Sequence, residues 1–315
     1  MGTTGGRQAG WRRELLAAGV TRAQLESDEW DSPHFGYHRA TRLRDGVRQR
    51  IHDAVAVMPP GGVIGGWASA YLQGVRYLDG GWSAAGTAWG LHGEPVLVVM
   101  SRGRRMNRLG VRALRAMVDP AEVVDVAGIR CTNGVRTAFD VLRLAPDLTE
   151  AVVGGDCLLH AGLVTGTGIA AYADSHQGRR GVRQVRAALP LLDGLAASPP
   201  ESRLRLLCHQ AGLPDVLVNV PVYDLDGTFL GIVDLLETMA GLALEYDGEY
   251  HRDLGQQTRD NHREERLERA GLTMLRVTSL DMQQPVGLVH RIRQAHQACR
   301  SSPLPRNWVH QLRAA

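Results

Sequence analysis

The sequence predicts a mixed α/β (α+β) protein, and three observations carry that reading. In the last hundred residues, apolar runs of strand length alternate with charged helical stretches in the order α-β-β-β-α-β-α. In the first two hundred, short helices and irregular strands succeed one another without a repeat. The 315 residues suit two or three domains, and 44% hydrophobic with 22% charged residues excludes a disordered or fibrous chain.

In chain order, residues 11–18 read as a short helix ended by Gly19, and Thr21 caps a second short helix. An aromatic-rich strand pair follows through Phe35, Tyr37 and His38, so the opening has the outline of a degenerate winged helix. Residues 46–58 and 65–74 read as helices. Residues 94–101 and 110–118 alternate like strands across an arginine-rich turn. A helix then carries Arg136 and Asp140 four apart, the spacing of a structural ion pair. Residues 148–163 and 179–192 complete a helical middle region. The small-residue and proline stretch at 192–200 is the expected linker.

All 36 basic residues are arginine. The absence of lysine excludes Schiff-base chemistry, a P-loop lysine and lysine-dependent nuclease motifs. Cys131, Cys157, Cys208 and Cys299 form no CxxC pair, which excludes zinc ribbons and a disulfide framework and fits a reducing cytosol. No charged-then-apolar leader opens the sequence, and the weakly polar stretch 151–173 holds Asp156, His160 and five glycines, so it is no membrane span. The expectation is a cytoplasmic protein without a membrane partner. Residues 1–200 carry 23 arginines against 18 acids, and 201–315 carry 13 against 15. The densest basic run, 95–118, has Arg102, Arg104, Arg105, Arg108, Arg112 and Arg115 and no acid. Arginine forks match phosphate oxygens, so Arg102, Arg104, Arg105 and Arg108 are candidate nucleic-acid contacts. A solvated basic face is the alternative.

The C-terminal elements are sharper. Pro200 and Glu201 open a helix that Gly212 closes; strands follow at 216–223, 228–236 and 241–248, with an Asp-Leu-Asp-Gly turn at 224–227. A charged helix spans 256–270, a fourth strand 272–278, and a last helix 286–299. Asp234 lies in the second strand, and Glu245 and Asp247 in the third. Side chains alternate along a strand, so Glu245 and Asp247 share a face at about 7 Å, and Asp234 joins them if the strands pair. Two carboxylates about 5 Å apart repel by roughly 3 kcal/mol at an effective dielectric near 20. Arg252 is the nearest arginine in sequence, and a divalent ion such as Mg²⁺ or Mn²⁺ is the economical compensation. His251 follows the Gly248 turn and can accept a proton from an attacking water. Glu201 can act as an outer acid on a metal-bound water, or simply as a helix N-terminal acid. Arg259 and Arg263 on the next helix are candidate phosphate contacts, a solvated charged face being the alternative. His209, His262, His290 and His296 are expected at the surface.

The segment from Glu201 to Cys299, with VDLLE, LALEYDGEYH, RDNHREERLERAG and TMLRVT, resembles the very-short-patch-repair (Vsr) endonuclease-like branch of the restriction-endonuclease fold. The PD-(D/E)xK pattern would give Asp234, then Glu245, with Asp247 in the lysine position. That resemblance implies Asp234 as principal metal ligand, Glu245 and Asp247 beside it, His251 as proton acceptor and Glu201 as outer acid. GGWASAYLQGV, CTNGVRTAFDVLR and EAVVGGDCLLHAGLV are similar to pieces of AbiEi-type antitoxin-like proteins of actinobacteria, in which an N-terminal winged helix binds DNA. The wing here, DEWDSPHFGYHRA, departs from that pattern. The expected organisation is a winged-helix-like basic region at 1–118, a helical middle at 119–191, a linker at 192–200, a nuclease domain at 201–300 and a tail at 301–315. The expected activity is metal-dependent DNA cleavage, or RNA cleavage by the same chemistry. The alternative is a DNA-binding regulator with a vestigial nuclease domain.

Overall fold

A computed structural model describes residues 8–43, 46–81, 93–101, 106–213, 215–247 and 254–311, with the side chains of 254–261 excepted. It is a mixed α and β structure that divides into two compact units. Unit 1 holds Met1–Pro146 and Leu163–Arg186; unit 2 holds Asp147–Gly162 and Ala187–Ala315. The chain therefore crosses between them three times. Among the described residues, no helix is long and apolar enough to cross a membrane.

Unit 1 begins with β1 (Ala9–Trp11), α1 (Arg12–Ala17), α2 (Arg22–Leu25), β2 (Trp30–His34) and β3 (Tyr37–Ala40). The strands form an antiparallel sheet in the order β1-β3-β2, and Thr21 caps α2 with a reciprocal capping box to Gln24. Next come α3 (Val47–Val57), β4 (Val63–Gly65), α4 (Gly66–Leu72), β5 (Val96–Met100), β6 (Val111–Arg115), β7 (Val123–Val126), β8 (Ile129–Thr132) and α5 (Gly134–Leu144). Their sheet runs β6-β5-β4-β8-β7. Here the structure departs from the expected strand pair across an arginine turn: β5 and β6 pair in parallel and do not form a hairpin. The expected boundary at 118/119 is also absent, because β8 pairs with β4 and completes the same sheet. Ala127 and Gly128 both take positive φ in the two-residue turn that joins β7 to β8.

The chain then leaves for α6 (Leu148–His160) in unit 2 and returns for α7 (Gly166–Ser175) and most of α8 (Val182–Ala188). Unit 2 continues with α9 (Pro199–Ala211), β9 (Val216–Asp224), β10 (Phe229–Glu237), β11 (Leu242–Asp247), α10 (Leu254–Arg269), β12 (Thr273–Thr278), α11 (Ser279–Met282), α12 (Pro285–Ser301) and β13 (Trp308–His310). The sheet order is β12-β11-β10-β9-β13; β9, β10 and β11 are antiparallel neighbours, and α10 carries the chain to the parallel strand β12. One sheet face packs Leu235, Leu244 and Val277 against Leu204 and Cys208 of α9 and Ile292 of α12. The other packs Val233, Leu236 and Ala243 against Leu267 of α10 and against Trp308.

Two boundaries differ from the sequence expectation. Residues 192–200 lie inside unit 2, where Ala196 enters the core and Leu195 packs on it, so this stretch is anchored by burial. Helix α6 packs on α9 through Arg203, whose Nε and Nη2 each reach Glu150 at 3.0 Å, and through Arg205 to Asp156 at 2.8 Å. Residues 301–315 hold more than a tail: β13 extends the sheet at the β9 edge and buries Trp308 to 1% exposure. His296, expected at the surface, is buried with its ring 3.7 Å from Glu237.

Candidate functional site

The site grows from the point where β10 and β11 stop pairing. Their antiparallel register runs Glu237–Leu242, Leu236–Ala243 and Leu235–Leu244, and ends there. The next residues are Asp234 and Glu245. Glu245 lies on the face of Ala243, which α10 covers, and Asp234 stands beside it where the pairing ends. In place of a further ladder bond, the Tyr246 amide donates to Asp234 Oδ2 at 2.8 Å. Asp247 is the last residue of β11, across from Thr278 of β12.

Burial pushes the Asp234 carboxyl up to about 6. The Tyr246 amide opposes that shift, the charges of Glu201 and Glu245 add to it, and Arg263 opposes it. Glu245 is only 8% exposed and its charge is met directly. Arg263 of α10 places Nη1 at 2.6 Å from Oε1 and Nη2 at 2.7 Å from Oε2, and Nη1 also donates to the Ile232 carbonyl at 2.6 Å. Arg263 thus faces inward, and it is a nearer cation for this acid pair than sequence distance suggested.

Glu201 has fixed partners as well. Its carboxylate accepts from Ala197 N at 2.9 Å, Ser198 Oγ at 2.7 Å and Asn219 Nδ2 at 2.8 Å, closing the turn that leads into α9. Asn219 stands at φ 50°, in the left-handed region, and also donates to the Leu195 carbonyl. Glu201 is therefore both a helix N-terminal acid and a charge felt at Asp234.

Of the remaining expected residues, His251, Arg102, Arg104 and Arg105 lie outside the described residues, as does the side chain of Arg259. Arg108 is exposed in unit 1, its Nη1 donating only to the neighbouring Asn107 carbonyl at 3.1 Å among the described residues. Arg263 as an internal partner, Asn219 and the Tyr246 amide were not legible from spacing. Gly231 inside a strand was the one available signal, because glycine there marks a bulge or a close approach.

Among the described residues, no three His, Cys, Asp or Glu side chains stand together at ligand spacing. The donor chemistry still fits a hard cation. Asp234, half-buried, and Glu245, buried, offer neighbouring carboxylate oxygens, and Mg²⁺ is commonly held by one or two carboxylates, with water and phosphate completing its shell.

No family model and no solved structure matches the chain. It is similar to two uncharacterized proteins of Mycobacterium tuberculosis, one from strain CDC 1551 / Oshkosh and one from strain ATCC 25618 / H37Rv. Each is 32% identical over 112 residues, which is 35% of this chain and 41% of the relative. The chain thus spans about two fifths of the length of these relatives.

Proposed function

We propose that unit 2 hydrolyses phosphodiester bonds in DNA with the help of Mg²⁺ or Mn²⁺. The observation that carries the reading is Asp234: a half-buried carboxyl raised to about 6, beside Glu245 and within reach of the Glu201 charge. An acid raised in this way by burial and by acidic neighbours is suited to a cation arriving with its substrate. The order α9-β9-β10-β11-α10-β12 supports the likeness to the restriction-endonuclease fold.

In this reading Asp234, Glu245 and Asp247 would hold the ion, which would neutralise charge developing on the scissile phosphate. Glu201, fixed by Ser198 and Asn219, keeps a negative charge at the edge of the site and can orient water. His251 accepts the proton of the attacking water, since the carboxylates are engaged as ligands and the chain has no lysine. Unit 1 contributes Arg102, Arg104, Arg105 and Arg108 to phosphates, with the β1-β3-β2 sheet and its two short helices as the winged-helix-like part. Arg259 is a further phosphate contact.

The second reading, a DNA-binding regulator with a vestigial nuclease unit, is favoured by one observation: Arg263 takes both oxygens of Glu245, as a purely structural ion pair would. Supercoiled plasmid decides between them. The full chain with Mg²⁺ or Mn²⁺ should nick or linearise it, EDTA should stop the reaction, and Asp234→Ala should slow it about 10³-fold. Equal traces of cleavage from the parent and Asp234→Ala would leave the regulator reading standing. A labelled RNA in parallel tests the choice of nucleic acid.

A further inference from the structure

The fork of Arg263 on Glu245 is built into the sheet. The register of β10 with β9 shifts between Phe229 and Gly231, so the strand is irregular three residues before Asp234. At Gly231 a Cβ would lie 2.9 Å from Arg263 Cγ and 3.1 Å from its Cδ. The glycine thus opens the lane along which the arginine stem crosses β10. Beyond that lane the guanidinium reaches the Ile232 carbonyl and then both oxygens of Glu245. The Glu245 side chain is 10% exposed and that of Arg263 27%, so solvent screens the pair only in part.

An arginine cannot give up its proton, so its charge stays beside Glu245 at any working pH. From this geometry we infer that Arg263 is an internal counter-cation of the Asp234–Glu245 pair, which a divalent ion must partly displace to bind. The inference rests on the proposed metal site and adds a regulatory property to it: the arginine weakens metal binding and so sets the metal concentration at which the site fills. A merely structural ion pair would act in the opposite direction, because losing it would loosen Glu245 and weaken the metal.

The test is calorimetric titration of the full chain with Mn²⁺, comparing the parent with Arg263→Met, Arg263→Lys and Gly231→Ala. Arg263→Met should bind Mn²⁺ about tenfold more tightly, since a fixed positive charge a few ångströms away has been removed. Gly231→Ala leaves the arginine in place but blocks its lane, and should tighten binding in the same direction. Arg263→Lys keeps the charge and should stay within about threefold of the parent. A parent that binds Mn²⁺ while Arg263→Met and Gly231→Ala bind no tighter overturns the counter-cation and leaves the metal site intact. No binding by any of the four proteins means that the metal site itself has failed, and the inference with it.

Discussion

Asp140 in α5 is fully withdrawn from solvent and Asp234 in β10 half-buried, and their surroundings are opposite. Asp140 is 0% exposed, with Arg136 Nε 2.8 Å from one oxygen and Arg143 Nε 2.7 Å from the other. Arg136 also reaches Glu122 at 2.8 Å, so two acids and two arginines are interlocked. Asp234 has a backbone amide and two acidic neighbours, and Arg263, which also acts on it, is bound to Glu245. The first arrangement uses charge to hold a helix in place. The second sets an acid beside other acids with a backbone amide as its described hydrogen-bond partner, which stability alone gives no reason to keep.

The largest test of that contrast concerns a third set of buried charges. A fragment starting at residue 199 lacks α6, leaving Arg203 and Arg205 of α9 without Glu150 and Asp156. Circular dichroism should find it unfolded where the full chain is folded, and a native-like spectrum would show that α6 is dispensable. Next, Arg136→Met leaves Asp140 with Arg143 alone and takes the guanidinium away from Glu122, and should cost about 3–5 kcal/mol in chemical denaturation. Asp234→Asn, measured in the same way with EDTA present, should cost nothing. If it costs as much as Arg136→Met, Asp234 belongs with the structural acids.

A smaller effect should appear against pH. The folded-state carboxyl of Asp234 titrates near 6 against an ordinary 3.8, so the folded chain holds the proton more strongly than the unfolded one. Its contribution to stability is therefore most favourable below about 4 and declines as pH rises through about 6. Urea midpoints measured across that range in EDTA should fall less steeply in Asp234→Asn than in the parent. The smallest effect falls on a charge at the surface. Arg108→Ala should reduce the log–log salt dependence of duplex DNA binding by about 1. An unchanged slope would make Arg108 a solvated residue.

Helices α9, α10 and α12 and strands β9 to β12 of unit 2 were legible because their runs end at strong punctuation, whereas α11 and β13 were not. Gly212 at φ 81° closes α9, Gly227 lies in the turn between β9 and β10, and Gly271 follows α10. The Arg136–Asp140 pair was legible from its four-residue helical spacing. In unit 1, α7 escaped notice because Gly166, Thr167 and Gly168 at its start are poor helix formers, and Thr165 supplies the cap that compensates. The parallel pairing of β5 with β6 was hidden because alternation reveals a strand but not its direction. Within the candidate site, alternation along β11 brought out Glu245 and Asp247. The Arg263–Glu245 contact has no such signature, since it joins residues 18 apart on different elements.

The interleaving of the two units has a consequence for how the protein is made and how it comes apart. Residues 163–186 finish unit 1, whereas α6 is synthesised before them and belongs to unit 2. On the ribosome α6 therefore emerges with Glu150 and Asp156 still waiting for Arg203 and Arg205, and unit 1 has the first opportunity to close. The same threading shapes the response to a protease. A nick at any one of the three crossings gives two pieces that do not coincide with the two units, so cleaved protein should stay together until it is unfolded.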